Sequence, residues 1–302
     1  MKIIEVKELY NKYQDKKDFQ REDDRYWGEI EAIADNLKDK CESHPILLLS
    51  GPSGSGKTTT AQRIEKMLDK KGFETHTVSL DCYFKSIEKE DVPKVDLESP
   101  ERLDNDLLSE HIDKLLKYEE IELPEFDFAN TKQIKSGIKL RRKPNEIIIF
   151  EGIHALNPEA VSVSAGVSKM YISARSRYLY GEDKILHPRF IRLLRRIDRD
   201  VLGRGRSPED TLAFFKSVER GVDKYVSPYK IYADYSINTS IEYEPLIYRT
   251  LLFEKLKETR QRVRSEDRET LELLIEFLQS FEGRESALVP KDSLIREFIG
   301  NE

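Results

Sequence analysis

The chain has 302 residues, of which 38% are hydrophobic and 36% are charged, and its formal net charge at pH 7 is −6. The charged share is above the usual value of about 25%, but 13 Phe and 14 Tyr residues provide enough apolar surface for a buried core, which excludes global disorder. The two cysteines, Cys41 and Cys82, are too few for a disulfide framework or a cysteine-rich zinc site. Since the amino terminus lacks the apolar core of a signal peptide and no apolar run approaches bilayer-spanning length, we expect a cytoplasmic protein that does not contact a membrane.

Three segments follow one another along the chain. Residues 1–44 are predicted to be charged helices that form an appendage rather than part of the core. Residues 45–245 are predicted to form the main domain, with a β-hairpin at 121–142 and a helical lid at 190–225. Residues 246–302 are predicted to be helices that pack across the sheet or against a partner, which leaves formation of a homo-oligomer open.

Five short strands are predicted in the main domain. The run PILLLS at 45–50 is continuously apolar, which is typical of a strand buried on both faces. A helix and the strand THTVSL at 75–80 follow it, and further strands are predicted for EIIIF at 146–150, KMYIS at 169–173 and DYSIN at 234–238. The order strand, helix, strand predicts an α/β fold with an open, mainly parallel sheet and helices on both faces.

A glycine-rich loop joins the first of these strands to the helix that follows. Residues 51–58 read GPSGSGKT, a complete G-x-x-x-x-G-K-[ST] pattern in the strand-to-helix context that it requires. The glycines let backbone N–H groups point at phosphate oxygens, Lys57 can reach the β and γ phosphates, and the Thr58 hydroxyl can bind Mg²⁺. We therefore predict a nucleotide-binding P-loop formed by Gly51, Ser53, Gly54, Ser55, Gly56, Lys57, Thr58 and Thr59.

Two carboxylates are predicted to lie at the same edge of the sheet as this loop. Asp81 and Glu151 each follow a predicted strand, and ligands of open α/β sheets bind outside the carboxyl ends of the strands. Phosphoryl transfer needs one carboxylate to accept the proton of the acceptor hydroxyl and another to help hold Mg²⁺. The alternative for Asp81 is a turn or the N-cap of the next helix, and Glu151 could instead cap the turn after its strand.

Two classes of P-loop protein are disfavoured by missing motifs. A GTPase would carry an Asn-Lys-x-Asp guanine motif, and the nearest string, at 130–133, lacks the Asp. An ABC-type ATPase would carry a Ser-Gly-Gly signature, which is also missing. These absences favour a small-molecule kinase.

The ordered set of motifs resembles the uridine kinase and phosphoribulokinase superfamily of P-loop kinases. The matching pieces, in chain order, are SGPSGSGKTT (50–59), SLDCYF (79–84), LESPERLDNDLL (97–108), LPEFDF (123–128), IIIFEGIHAL (147–156), RLLRRIDRDVLGRGRS (192–207) and YADYSIN (232–238). The chain is also similar to a bacterial nucleoside kinase-like branch whose members often carry a threonyl-tRNA-synthetase-type amino-terminal domain, and we expect that domain to be absent here. The resemblance implies a P-loop NTPase fold, Asp81 as catalytic base, Lys57 and Thr58 at ATP and Mg²⁺, and Glu151 near the metal.

On the acceptor side the chain departs from the uridine kinase pattern. Glu98 stands where those kinases use an Asp for the ribose hydroxyls, Phe126 replaces a Tyr that reads the base, and Thr131 replaces a His. Hydrogen-bonding groups dominate the discrimination of polar substrates, so uridine itself is a doubtful acceptor. The predicted acceptor contacts are Tyr83, Glu98, Phe126 and Phe128, and the segment SRYLYGEDKILHP at 176–188 is inserted relative to the family.

The stretch RLLRRIDRDVLGRGR at 192–206 concentrates six arginines on an acidic chain. Positions 192, 195, 196 and 199 share one helical face, and Ser207-Pro208 is a helix start, which predicts a helix, turn, helix hairpin. Surface salt bridges with Asp198 and Asp200 would use part of the charge. A nucleic-acid site would extend beyond one hairpin on a more basic protein, so we expect no nucleic-acid partner.

The third interpretation is a mobile lid that brings arginines to the transferring phosphoryl group. An arginine in that position can contribute on the order of 10³ to 10⁵ in rate. The resemblance assigns this catalytic role to Arg196, Arg199, Arg204 and Arg206.

These observations predict an ATP- and Mg²⁺-dependent kinase that phosphorylates a hydroxyl of a small acceptor, with a nucleoside as the first candidate. Two alternatives stay open. One is a nucleoside monophosphate kinase or a kinase of phosphorylated sugars, and the other is a non-catalytic nucleotide-binding regulator.

Overall fold

The structure is a computed structural model that describes residues 2–88, 90–91, 94–163 and 165–300. The strands in this part of the chain are β1 (Ile3–Glu5), β2 (Ile46–Ser50), β3 (Glu74–Ser79), β4 (Glu120–Asp127), β5 (Lys132–Arg141), β6 (Glu146–Glu151), β7 (Val167–Ser173), β8 (Arg177–Tyr180), β9 (Lys184–Leu186) and β10 (Tyr235–Asn238). The α-helices are α1 (Val6–Lys12), α2 (Lys16–Asp39), α3 (Lys57–Asp69), α4 (Asn105–Leu116), α5 (Pro188–Gly203), α6 (Pro208–Gly221), α7 (Glu244–Thr259), α8 (Arg268–Gln279) and α9 (Arg296–Ile299). The first residue of the amino-terminal segment and the last two of the carboxyl-terminal segment lie outside the described residues.

The central sheet is parallel and has the strand order β10-β7-β2-β6-β3. These are the five predicted strands, and the predicted α/β fold class is confirmed. Every residue of β2 and β6 is buried, because apolar clusters cover both faces of the sheet. The register pairs Glu151 with Leu49 on one side and with Ser79 on the other. The ends of β2, β3 and β6 therefore meet at one edge of the sheet.

The amino-terminal helices are part of the main core, and the expectation of an appendage was wrong. Tyr26, Trp27, Ile30 and Leu37 of α2 are buried in the same hydrophobic cluster as Leu49 of the central sheet. Their spacing puts them on one side of the helix, against α3, while most of the charged residues cover the other side. The high charge density of the segment concealed this apolar stripe.

Two β-hairpins are attached to the central sheet. The predicted acceptor-side hairpin consists of β4 and β5, which pair antiparallel. The inserted segment at 176–188 forms the β8–β9 hairpin, and β1 pairs in parallel with β8 to make a separate three-stranded sheet. The carboxyl-terminal helices α7 and α8 pack into the same core cluster as α2, as the sequence predicted in outline.

A buried polar contact joins both ends of the chain to the core. The Tyr243 hydroxyl donates to the Asp23 carboxylate of α2 and lies 3.0 Å from the Ser293 hydroxyl. Asp23 is completely buried, and this burial raises the pKa of its carboxyl group to about 7. None of the helices in the described ranges combines the length and apolar character that a membrane span requires.

We expect Asp23→Asn to flatten the pH dependence of folding stability between about pH 4 and pH 7. The pKa of Asp23 is higher in the folded chain than its ordinary value of 3.8, so the folded state holds a proton that the unfolded state releases in this range. The wild-type free energy of unfolding should therefore fall as pH rises, by up to about 1.4 kcal/mol per pH unit from this one group. Urea unfolding at a series of pH values measures the slope. Asp24→Asn removes an exposed carboxylate from the same helix and should keep the wild-type slope; equal slopes for both variants would contradict the expectation.

Candidate functional site: a phosphate-binding loop and its cleft

The P-loop backbone has the tight curl that its glycines permit. A Cβ atom at position 51 would lie 2.2 Å from the carbonyl oxygen of Ile172, so only glycine fits there. Gly54 and Gly56 have φ angles of +77° and +87°, a conformation that strains other residues. The loop ends at α3, whose first N–H groups have no intrahelical acceptor and form an anion-binding helix terminus.

The two motif residues at the start of α3 face the cleft. Lys57 Nζ donates to the carbonyl oxygens of Gly51 and Pro52 at 3.0 and 3.4 Å. Burial lowers the pKa of this ammonium, whereas Glu151 and Asp81 act to raise it. The Thr58 hydroxyl lies 3.5 Å from Glu151 Oε1.

A cleft of about 310 Å³ lies outside the carboxyl ends of β2, β3 and β6. It brings together ten of the predicted site residues: Ser53, Gly54, Gly56, Lys57, Thr58, Asp81, Glu98, Glu151, Arg199 and Arg204. Its other lining residues were not singled out from the sequence: Phe84, Leu97, Gly152, Ile153 and Glu297. One cavity thus contains P-loop residues, carboxylates and arginines that are up to 151 residues apart in the chain.

The two carboxylates both line the cleft, where Asp81 is exposed. Asp81 belongs to a single 3₁₀ turn after β3, and Ser79 caps that turn by accepting from the Asp81 N–H, so Asp81 is not the cap. The surrounding protein raises the pKa of the Asp81 carboxyl, and the positive charges of Lys57 and Arg204 counteract that rise. Glu151 is the last residue of β6 and is buried, which raises the pKa of its carboxyl group as well.

The arginine stretch forms the predicted helix, turn, helix hairpin from α5 and α6. Ser207 caps α6 by accepting from the Asp210 N–H. Arg196 donates to the Ser53 hydroxyl, and burial together with the neighbouring Arg199 lowers the pKa of the Arg196 guanidinium to about 10. Arg206 is exposed and packs near the Phe214 ring, outside the cleft lining.

Two further arginines of α5 hold the P-loop. Arg192 donates to the Ser53 carbonyl oxygen at 3.1 Å and to the Glu219 carboxylate. Arg195 is completely buried, pairs with the Glu244 carboxylate at 2.7 and 2.9 Å, and donates to the Gly54 carbonyl oxygen at 3.1 Å. Both arginines belong to the helix face that the sequence predicted. Their side chains bind the backbone of the P-loop and so have a structural role.

The surface salt-bridge interpretation is only partly correct. Asp200 lies 3.5 Å from Arg199 and 3.6 Å from Arg204, but this carboxylate is completely buried. The proposed second partner, Asp198, is also buried, and burial raises the pKa of its carboxyl group to about 6.

An aromatic cluster stands beside the cleft, which Phe84 lines. The ring centroids of Phe84, Phe126 and Phe128 are 5.0 to 6.5 Å apart in edge-to-face arrangements. Arg102 lies over the rings of Phe84 and Phe126, at 5.4 and 5.9 Å from their centroids. Neither Phe84 nor Arg102 was selected from the sequence, although Phe84 belongs to the quoted SLDCYF motif.

Two other positions considered on the acceptor side contact the protein itself. The Tyr83 side chain is completely buried, and its hydroxyl is 3.0 Å from His111 Nδ1, so it supports the cleft wall from behind. The Thr131 hydroxyl donates to the carbonyl oxygen of Ile87 at 2.6 Å.

Glu297 reaches the P-loop helix from the far end of the chain. Its Oε2 accepts from the Thr59 hydroxyl at 2.6 Å and from the Thr59 backbone N–H at 3.3 Å. The two residues are 238 positions apart, and no local pattern around Glu297 indicates a role at a phosphate site.

Comparisons with known proteins agree with this site. Residues 46–176 match the model of the Phosphoribulokinase / Uridine kinase family. A uridine kinase of Borreliella burgdorferi is 33% identical over 193 residues, which cover 63% of this chain and 84% of that protein. A uridine kinase of Anoxybacillus flavithermus is 32% identical over 198 residues, with the same coverage of 63% and 84%.

A solved structure supports the fold. A candidate fructose transport system kinase from Silicibacter sp. TM1040 superposes with a TM-score of 0.51 at 17% identity, covering 69% of this chain and 98% of that one. The chain therefore belongs to the phosphoribulokinase / uridine kinase family, and it is an ATP-dependent kinase that transfers a phosphoryl group to a hydroxyl of a small molecule.

Proposed function

We propose that the acceptor is a nucleoside and that the phosphorylated group is one of its sugar hydroxyls. The observation that carries this proposal is the position of Asp81 in one cleft with the P-loop on one side and the aromatic cluster next to Phe84 on the other. The names of the related uridine kinases support the same acceptor class. We place the reaction in the cytoplasm, because it draws on the ATP pool.

Asp81 is proposed as the base of the transfer. Its carboxylate accepts the proton of the acceptor hydroxyl while that oxygen forms a bond to the γ-phosphorus and the bond from phosphorus to the β,γ-bridging oxygen breaks. Two opposing influences act on its pKa: the surrounding protein raises the pKa, which strengthens the base, and the positive charges of Lys57 and Arg204 act against that rise. ADP and the phosphorylated nucleoside are the products.

Lys57 and the loop N–H groups are proposed to hold the donor phosphates. In the structure Lys57 donates to two loop carbonyls, and phosphate oxygens are stronger acceptors that would draw the ammonium away from them. Arg196, Arg199 and Arg204 are proposed to stabilise the charge that spreads over the transferring group. Arg206 would join them only after movement of the α5–α6 turn, as the lid interpretation requires.

Thr58 and Glu151 are proposed to hold Mg²⁺. A hydroxyl and a carboxylate oxygen 3.5 Å apart at the mouth of a phosphate site are the hard oxygen ligands that this cation prefers, so the donor set fits. Bound there, Mg²⁺ would neutralise phosphate charge. Burial raises the pKa of the Glu151 carboxyl group, and the positive charge of Lys57 acts against that rise.

The acceptor is proposed to lie between Glu98 and the aromatic cluster. Glu98 is near Arg196 in the cleft and can accept hydrogen bonds from a pair of sugar hydroxyls. Phe128 has 66% of its surface exposed, which leaves one ring face free to stack on a base. Because Thr131 donates to the backbone and Phe126 carries no polar group, we expect weak discrimination between bases.

Asp81→Asn should abolish phosphoryl transfer and leave ATP binding nearly unchanged. Asparagine keeps the size of the side chain but cannot accept the proton, so we expect kcat to fall by at least about 10². A coupled assay for ADP release with a panel of nucleosides, sugars, polyols and their phosphates measures this and identifies the acceptor. The matched control is Asp183→Asn, which removes an exposed carboxylate from the β8–β9 turn. Wild-type turnover in Asp81→Asn would refute the assignment of Asp81 as the base. Exclusive use of a phosphorylated acceptor would refute the nucleoside as acceptor.

Phe128→Ala should raise KM for the nucleoside by about tenfold, because stacking on an aromatic ring stabilises a bound base by about 1–3 kcal/mol. KM for ATP should stay unchanged. Initial-rate kinetics with both substrates varied separates the two constants. Ile138→Ala shortens another exposed apolar side chain of the same hairpin and should leave both constants unchanged. A wild-type KM for the nucleoside in Phe128→Ala would show that this ring does not contact the acceptor.

Arg204→Gln should move the acid limb of the pH profile of kcat/KM to higher pH. Arg204 lowers the pKa of Asp81, so its removal lets that pKa rise further. The base must be ionised to accept a proton, and activity is lost as pH falls through its pKa; in the variant this loss therefore begins at a higher pH. Arg260→Gln changes an exposed arginine outside the cleft lining and should keep the wild-type limb, and a limb that does not move in Arg204→Gln would contradict the coupling.

A further inference from the structure

The carboxylate of Glu297 lies where a P-loop helix binds phosphate. Thr59 is the third residue of α3, and its N–H is one of the helix-terminal donors that have no intrahelical acceptor. In a P-loop these N–H groups contact the phosphates of the nucleotide. In the structure, Glu297 Oε2 accepts from this N–H at 3.3 Å and from the Thr59 hydroxyl at 2.6 Å.

The negative charge of Glu297 also acts on other residues of the phosphate site. This carboxylate acts to raise the pKa of both Lys57 and Glu151, and it lines the same cleft as these two residues. It is therefore a negative charge of the protein placed among groups that would bind the negative charges of ATP.

Neighbouring residues of the carboxyl-terminal segment hold Glu297 in place. Leu294 packs so closely on the P-loop that a Cβ at Gly56 would lie 2.8 Å from Leu294 Cδ1. The Phe298 ring is buried under the Arg195 guanidinium, 5.1 Å from it. Asp292 pairs with Arg63 of α3 at 2.9 Å. The segment Leu294–Phe298 is thus docked on the loop, while the side chain of Glu297 itself is only partly buried.

We propose that Glu297 occupies a phosphate subsite of the donor nucleotide and that ATP must displace it, so that the carboxyl-terminal segment limits the affinity of the kinase for ATP. A carboxylate and a phosphate cannot share the Thr59 donors, because both are anions and both need the same N–H group. The proposal rests on the proposed donor site and is independent of the identity of the acceptor.

Two other roles for Glu297 make different predictions. A ligand of the metal would strengthen binding of the Mg²⁺ complex of ATP. A simple helix cap would stabilise the fold, since an acidic group at a helix amino terminus contributes up to about 2 kcal/mol, but it would leave nucleotide affinity unchanged.

The test is equilibrium binding of ATP to the full chain carrying Glu297→Gln, with and without Mg²⁺ and with no acceptor present. Glutamine keeps the shape and can still accept from Thr59, but it carries no charge. We expect the Kd for ATP to fall by about fivefold to thirtyfold under both conditions, the factor that corresponds to about 1–2 kcal/mol of interaction at a helix terminus. The melting temperature without ligand should fall slightly while the stabilisation by ATP increases.

Glu282→Gln removes one charge from an exposed position outside the segment docked on the loop and should leave the Kd at the wild-type value. An unchanged Kd in a folded Glu297→Gln protein would leave Glu297 as a cap only, and weaker binding with Mg²⁺ would make it a metal ligand; either result overturns the proposal. Glu297→Ala, if folded by its melting curve, must change the Kd in the same direction as Glu297→Gln. Since no acceptor is used, failure here is distinct from failure of the nucleoside assignment, which only the transfer assay can show.

Discussion

The buried ion pair between Arg195 and Glu244 is the contact on which the shape of the site depends. Both side chains are completely buried, and the same guanidinium also donates to the carbonyl oxygens of Gly54 and Thr239. One side chain thus joins the P-loop, α5, the loop after β10 and the start of α7. Removing one partner of such a pair costs about 3–5 kcal/mol, because a charge is left buried without compensation. This ion pair therefore stabilises the curvature of the P-loop and, with it, the direction of the loop N–H groups.

Charge is concentrated in the cleft although the chain is acidic as a whole. The guanidinium groups of Arg199 and Arg204 and the ammonium of Lys57 line the cleft together with several carboxylates, and Arg196 donates to the Ser53 hydroxyl beside it. Burial and like-charge proximity lower the pKa values of Arg196 and Arg199. A bound triphosphate would place further negative charge beside these guanidinium groups. The cleft lining itself combines four carboxylates, those of Asp81, Glu98, Glu151 and Glu297, with the cations of Lys57, Arg199 and Arg204, so the placement of the cations rather than the net charge of the chain decides where phosphate can bind.

The two ends of the chain surround the back of the P-loop helix. Tyr26 of α2 bonds the Thr60 hydroxyl at 2.8 Å, and the Arg63 guanidinium stacks 4.4 Å from the Trp27 ring. The carboxyl-terminal segment contacts the same helix through Asp292 and Glu297. The family model matches only residues 46–176, so these contacts come from parts of the chain outside that match. They explain why the extensions are integral to the fold: each covers a face of α3 that the core domain leaves open.

Sequence alone determined the P-loop, the five parallel strands, the β4–β5 hairpin and the α5–α6 hairpin, because glycine spacing, continuous apolar runs and helix-start residues are local signals. It also placed Asp81 and Glu151 at one edge, since parallel strands end on the same side. Only the tertiary structure decided that Arg192 and Arg195 support the loop while Arg199 and Arg204 line the cleft, that Tyr83 turns into the core, and that α2 belongs to that core. Each of these outcomes depends on which side chains from distant parts of the chain pack against the residue in the folded protein. The position of Glu297 against Thr59 is the extreme case, because packing of Leu294 and Phe298 across the whole fold, and no pattern near residue 297, brings that carboxylate to the phosphate site.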